Sequence, residues 1–338
     1  METSLPDDAA AFLTEAVGEG WTARALFGDA SVRRYFRVTL ADGTTRMLAY
    51  YPAEVRPQLQ TFLKAYDAVN RCGRIPEVER YSEIAVLQRD VGDRTLYDLL
   101  HDDREEGVRR YREAIDALVA FQDACAGEVN PPFTAEFFTR ELEMTREFYV
   151  EKLMGVPPEA SGRLVPLFRR LAHNVSRHPY VLCHRDYHGQ NIHLFNDSIY
   201  VIDYQDLRQG PDTYDLSSLL RDRGVARILG EAAEMELVGY YASLRSADPG
   251  LRLRYFETLL ERSLKILGTF SKQPIARGRL HYLEFIEPTI ESVRRCLDEL
   301  PEFGDLRRDF PLDFSLDAAR ERVKGLLHGE TPDHAAAR

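Results

Sequence analysis

The stretch Val181-Leu182-Cys183-His184-Arg185-Asp186-Tyr187-His188-Gly189-Gln190-Asn191, followed by Val201-Ile202-Asp203-Tyr204, constrains this chain more than any other part of it. Ser198-Ile199-Tyr200-Val201-Ile202 reads as a buried strand that delivers Asp203 at its exit. Asp186 stands in a loop, with Asn191 five residues on. A carboxylate that can activate a hydroxyl, with an amide oxygen and a second carboxylate as hard ligands for magnesium, is the set that phosphoryl transfer from Mg-ATP requires.

The rest of the chain divides by periodicity into an α+β pattern. From Trp21 to about Val91 it is rich in strands. Ser31–Leu40 alternates, Asp42-Gly43 signals a hairpin turn, and Arg46–Tyr51 returns. Gln58–Cys72 carries Leu59, Phe62, Leu63, Tyr66 and Val69 at helical spacing, and Ile84–Leu87 is a further short strand. Beyond Thr95 the spacing is helical over Arg109–Ala126, Ala135–Lys152, Ser161–Arg177, Tyr214–Asp222, Glu231–Leu244, Leu251–Phe270 and Tyr282–Leu300. These patterns predict an N-terminal lobe over 1–92, a helical C-terminal lobe over 93–330 and a disordered polar tail over 331–338.

At 338 residues the chain can hold one large two-lobed domain or two modest domains. Its formal charge of −11 argues against nucleic acid or an anionic membrane as partner, because phosphate contacts need clustered Lys and Arg. No apolar run approaches the roughly 20 residues that span a bilayer, and Met1–Asp8 lacks the basic-then-apolar order of a signal peptide. Cys72, Cys125, Cys183 and Cys296 have no metal-ligand spacing and read as buried thiols in a reducing cytoplasm. Nothing calls for an obligatory protein partner.

The block around Asp186 resembles the Brenner motif of the aminoglycoside phosphotransferase and choline kinase families. Gly210-Pro211-Asp212-Thr213-Tyr214-Asp215-Leu216, Gly28-Asp29-Ala30-Ser31-Val32-Arg33-Arg34-Tyr35-Phe36-Arg37 and Leu264-Lys265-Ile266-Leu267-Gly268 resemble one branch in particular. That branch holds the ATP-dependent anomeric kinases of N-acetylmuramate and N-acetylglucosamine in cell-wall recycling. The resemblance implies a protein-kinase-like bilobal fold with a small β-rich N-lobe, ATP and Mg as cofactors, and a sugar acceptor.

Asp186 is then the expected catalytic base, and Asn191 and Asp203 the metal ligands. His184 and Asp215 are expected to brace the loop. Gln205 and Asp206, just past the metal aspartate, are candidates for sugar contacts. Tyr255, Phe256, Arg262, Lys265, Phe270 and Tyr282 are candidates for the acceptor wall, where an arginine would hold a lactyl carboxylate. The nucleotide falls to Ser31 in the Gly-Asp-Ala-Ser loop, to Arg34, and to Gln88 and Asp90 beside adenine. Met47-Leu48-Ala49-Tyr50-Tyr51 lacks the lysine that clamps phosphates in kinases, which leaves Arg34 or Lys64 for that task. Arg33 and Arg34 alternate, so only one of them can face the nucleotide. The residues leave other acceptors open (an aminoglycoside, choline or another sugar), as well as a nucleotide-binding chain without turnover.

Overall fold

Phe36, Val38, Leu48 and Tyr50 alternate with Tyr35, Arg37, Met47 and Ala49 on two paired strands. One face of the pleat is therefore apolar and the other mixed. The computed structural model describes residues 4–26, 32–72, 74–124 and 129–328. Gly28–Ser31, Cys125 and the tail 331–338 lie outside the described residues.

In chain order the strands are β1 (Thr22–Leu26), β2 (Arg34–Thr39), β3 (Thr45–Tyr50), β4 (Val78–Tyr81), β5 (Ala85–Arg89), β6 (Tyr180–Cys183), β7 (Ile192–Phe195), β8 (Ser198–Val201) and β9 (Arg208–Pro211). The first helices are α1 (Asp7–Val17), α2 (Pro57–Val69), α3 (Leu96–Asp102), α4 (Arg104–Gln122), α5 (Ala135–Thr145), α6 (Pro158–Ser161) and α7 (Leu164–Val175). The later ones are α8 (Tyr214–Arg221), α9 (Val225–Leu244), α10 (Leu251–Arg277), α11 (Ile286–Glu299), α12 (Gly304–Asp309) and α13 (Leu316–His328). No helix among the described residues is long and apolar enough to cross a membrane. Cys183 and Cys296 are buried free thiols and Cys72 is half-buried.

The chain forms two compact units, residues 1–130 with 189–208, and residues 131–188 with 209–338. The division differs from a lobe boundary at residue 92, and long-range main-chain pairing accounts for the 189–208 part of it. Leu194 N–H donates to the Arg94 carbonyl at 2.8 Å and Val201 N–H to that of Arg74 at 2.6 Å, which ties the β7–β8 hairpin into the first unit. Asn196 and Asp197 turn that hairpin with φ of 48° and 57°, the left-handed pair that a two-residue hairpin loop needs.

In the first unit β1-β2-β3-β5-β4 form one antiparallel sheet. Gly43, with φ of 83°, makes the expected β2–β3 turn. Ala9 and Leu13 of α1 cover the apolar face and pack with Phe36, Val38, Leu48 and Leu87. Each such buried large apolar side chain stabilises the fold by roughly 1.5–3 kcal/mol. Thr95 caps α3 through a capping box with Asp98.

The second unit is built on α10, a 27-residue helix buried along much of its length. It packs against α5, α7, α8 and α11. Gly268 permits a close approach, because a Cβ there would stand 2.6 Å from Thr145 Oγ1 and 2.8 Å from Thr145 Cα. The expected helix over 135–152 is α5 continued by a π-helical segment, Arg146–Leu153. Gly230, at φ 74° and ψ 158°, interrupts α9, so regular helix resumes at the expected Glu231.

Candidate active site

The sheet face turned away from α1 opens onto a cavity of about 310 Å³ in the first unit. Strand register puts Tyr35 opposite Ala49 and Met47 opposite Gln88 on that face, and all four line the cavity. Asn191, Asp203 and Gln205 line it too. Asp203 follows β8 as expected, with φ of 65°, a conformation that costs a non-glycine residue about 1–2 kcal/mol. Its side chain is 41% exposed, and its Oδ1 accepts the Gln205 Nε2–H at 2.9 Å. Asp206 is half-buried and does not line the cavity.

Gln88 and Asp90 line the same cavity. The Asp90 carboxylate, however, accepts Arg37 Nε–H at 2.6 Å and the Gly92 N–H at 2.9 Å, so it shapes the 90–92 turn. Arg34 is not at this cavity. It shares the parity of Phe36 and Val38 and therefore points to the α1 face, where its Nη2 donates to the Ser4 carbonyl at 2.5 Å. Arg33 takes the cavity side instead, its guanidinium 3.5 Å from Asp203 Oδ1. Lys64 is exposed on α2, away from the cavity lining. Ser31 lies outside the described residues.

The loop that carries Asp186 follows β6 in the second unit. Asp215, fully buried in the first turn of α8, accepts the His184 N–H at Oδ2 (2.6 Å) and the Arg185 N–H at Oδ1 (2.8 Å). Burial raises the Asp215 carboxyl above its ordinary value, although the His184 ring and the two N–H donors oppose the rise. Arg185 has φ of 82°, and Arg262 Nη1–H donates to its carbonyl at 3.3 Å. Arg262 also donates to Ser218 Oγ at 2.9 Å and pairs with Asp222. His184 is buried; its Nδ1 accepts the Asp186 N–H at 3.3 Å. His184 and Asp215, the residues expected to brace this loop, both hydrogen-bond to its main chain. The contribution of Arg262 to it carries no sequence signal, because Arg262 meets the loop only through tertiary packing.

Asp186 opens onto a second cavity, about 190 Å³, within the second unit. Arg262, Lys265, Phe270 and Tyr282 share its lining. Tyr255 and Phe256, also expected there, are buried elsewhere, and Tyr255 donates its hydroxyl to Glu234 at 2.7 Å. Asp186 is exposed. Desolvation of its carboxyl raises its pKa, but Lys265, then His188, Arg262 and Arg185, outweigh that and hold the carboxyl below its ordinary value. Glu261 is fully buried beneath this wall, with neither carboxylate oxygen hydrogen-bonded. The sequence shows only one more helical glutamate at that position.

The donor set fits a hard cation and a nucleotide. An amide and a partly exposed carboxylate meet at a cavity whose other walls, Tyr35, Met47, Ala49 and Val91, suit a heteroaromatic base. A small antiparallel sheet and a mainly helical remainder, with a His-x-Asp loop held by a buried aspartate, define a protein-kinase-like fold. Two solved structures share it: the ADP-bound aminoglycoside phosphotransferase APH(2'')-Ib, with a TM-score of 0.62 at 14% identity over 86% of this chain and 99% of that one, and a choline/ethanolamine kinase family protein from Mesorhizobium loti, with a TM-score of 0.61 at 16% identity over 93% and 99%. The profile of the phosphotransferase enzyme family (APH) matches residues 22–252, and the chain belongs to that family. Among similar proteins are the N-acetylmuramate/N-acetylglucosamine kinases of Pseudomonas aeruginosa, 26% identical over 90% of this chain and 92% of the relative, and of Neisseria meningitidis serogroup B, 29% identical over 82% and 86%.

Proposed function

We propose that this protein is a cytoplasmic, ATP- and Mg-dependent kinase that phosphorylates the anomeric hydroxyl of an N-acetylated amino sugar, N-acetylglucosamine or N-acetylmuramate, to the sugar 1-phosphate. The observation that carries the reading is the second cavity, whose lining brings Asp186 together with the cations Arg221, Arg262 and Lys265 and the rings of Phe270, Tyr282 and Phe285. Asp186 orients the acceptor hydroxyl and takes its proton as the oxygen bonds to the γ-phosphorus, while the bond from that phosphorus to the β,γ-bridging oxygen breaks and ADP leaves. A carboxylate held below its ordinary pKa is ionised at neutral pH and ready to accept that hydrogen bond. Asn191 and Asp203 hold the magnesium, which when bound neutralises charge on the phosphates. Phe270 and Tyr282 offer faces for a sugar ring, and Lys265 offers an ammonium for a lactyl carboxylate. Arg262 and Lys265 disfavour a strongly cationic acceptor such as an aminoglycoside or choline, while the names of the similar kinases support the amino sugar.

The test is a panel of N-acetylglucosamine, N-acetylmuramate, simple hexoses, choline and kanamycin with Mg-ATP, followed by ADP release and phosphorus NMR of the product. Sugar 1-phosphate from an N-acetylated sugar is the expected result; turnover with kanamycin or choline alone refutes the reading.

A further inference from the structure

The β3 face that meets the nucleotide cavity presents Met47 and Ala49, so the strand that usually supplies a phosphate-clamping lysine supplies no cation. Arg33 lies one residue before β2. Since Arg34 pairs with Tyr50, Arg33 extends the row Tyr35–Ala49 towards Tyr51. Its guanidinium stands 5.8 Å from the Tyr35 ring centroid and 6.0 Å from that of Tyr51, and both rings line the cavity. Its side chain is 12% exposed.

Three other arginines of this sheet, Arg37, Arg46 and Arg89, are engaged with carboxylates outside the Asn191–Asp203 pair. Arg37 is held by Asp90 and Asp93 at 2.6 and 2.7 Å, Arg46 by Glu79 at 2.7 Å and Arg89 by Glu77 at 3.0 Å. The carboxylate beside Arg33 is Asp203, at the longer distance of 3.5 Å. Asp203 is also the group that a divalent cation would engage, and a metal there competes with the guanidinium for the same oxygen.

The geometry points to Arg33 as the phosphate-binding cation of this site. It pairs with Asp203 before loading and turns to the polyphosphate oxygens once Asp203 takes up its metal. A guanidinium suits this exchange because it stays charged when half-buried and can engage two phosphate oxygens at once. The inference rests on the ATP-kinase reading above.

Equilibrium binding separates the two. Isothermal titration with ATP, ADP and adenosine, in magnesium, is run on the wild type, Arg33→Met, Arg33→Lys and Arg34→Met. Arg33→Met is expected to weaken ATP and ADP roughly 10- to 100-fold, the worth of one charge-assisted hydrogen-bonded contact, with adenosine changed less than about 3-fold. Arg33→Lys keeps the charge without the fork and falls between wild type and Arg33→Met, which also serves if the methionine variant fails to fold. Arg34→Met is expected to bind all three ligands like wild type. Unchanged ADP affinity in Arg33→Met, or an equal loss for adenosine, overturns the assignment of Arg33 alone. A wild type that binds neither ATP nor ADP overturns the kinase reading and this inference with it.

Discussion

The Asp215 carboxylate accepts the His184 N–H at 2.6 Å and, with its other oxygen, fixes the next peptide as well. An aspartate that satisfies two successive N–H groups at full burial determines the path of the loop that carries Asp186. Asp215→Asn would turn an amide N–H towards one of these donors. We expect a loss of about 2–4 kcal/mol in urea unfolding and a drop in kcat, with ADP affinity close to wild type.

Asp186 and Asp203 should fail in different ways. Asp186→Asn is expected to cut kcat by roughly 10²–10⁴-fold while Mg-ATP still binds. Asp203→Ala should instead raise the Kd for Mg-ATP and make nucleotide binding insensitive to magnesium. Titration calorimetry with and without the metal distinguishes them, and near-normal turnover in Asp186→Asn would remove it as the base.

Glu261 gives the stability a pH dependence. Burial, with a smaller push from Glu141, lifts its carboxyl well above the ordinary range despite Lys265 and Arg262. The folded state then holds a proton that the unfolded chain loses from about pH 4.5 upward, so stability falls as pH rises through that window. Glu261→Gln removes the penalty. Its melting temperature should exceed wild type by roughly 1–3 °C at pH 7–8, with the gain vanishing near pH 4. A lower melting temperature at pH 7 would mean that Glu261 is ionised against Lys265.

Lys265 should govern acceptor choice. It lines the Asp186 cavity, and Glu141, the carboxylate across from its ammonium, is 4.0 Å away. Lys265→Met is expected to lower kcat/KM for N-acetylmuramate roughly 10-fold more than for N-acetylglucosamine, about the value of one hydrogen bond to a charged group. Equal losses on the two sugars would exclude a carboxylate contact.

Gly268 carries the packing of α10 on α5. A Cβ would meet the Thr145 backbone nitrogen at 2.9 Å as well as its side chain. Gly268→Ala should therefore cost about 1–3 kcal/mol despite alanine's better helix propensity. Urea unfolding checks this directly.

The signals that were legible in the sequence are local ones. Asp42-Gly43 announces its hairpin because Gly43 needs a positive φ, and the strand before Asp203 ends at Val201, one residue short of the end of its apolar run. Arg33 and Arg34 show the limit of such signals. Alternation says that one of them faces the nucleotide, but which one depends on the face that α1 covers, and that is set by tertiary packing. The membership of Gly189–Arg208 in the first unit was hidden for a similar reason, since the carbonyls of Arg74 and Arg94 that anchor the hairpin lie about a hundred residues upstream. Helical spacing alone could not distinguish α5 from the π-helical turns that continue it, nor a solvent glutamate from the buried Glu261.

Arg185 and Asp203 both occupy left-handed backbone, φ 82° and 65°, where glycine would sit with less strain. At 185 the protein's contacts with Asp215 and Arg262 run through the main chain, so glycine would keep them. Laboratory evolution for heat resistance alone is therefore expected to drift towards glycine at 185 and to discard a guanidinium that helps hold the Asp186 carboxyl below its ordinary pKa. Asp203 offers no such exchange, because its worth lies in the carboxylate itself. Thermal tolerance and turnover should thus be separable at one of these positions and inseparable at the other.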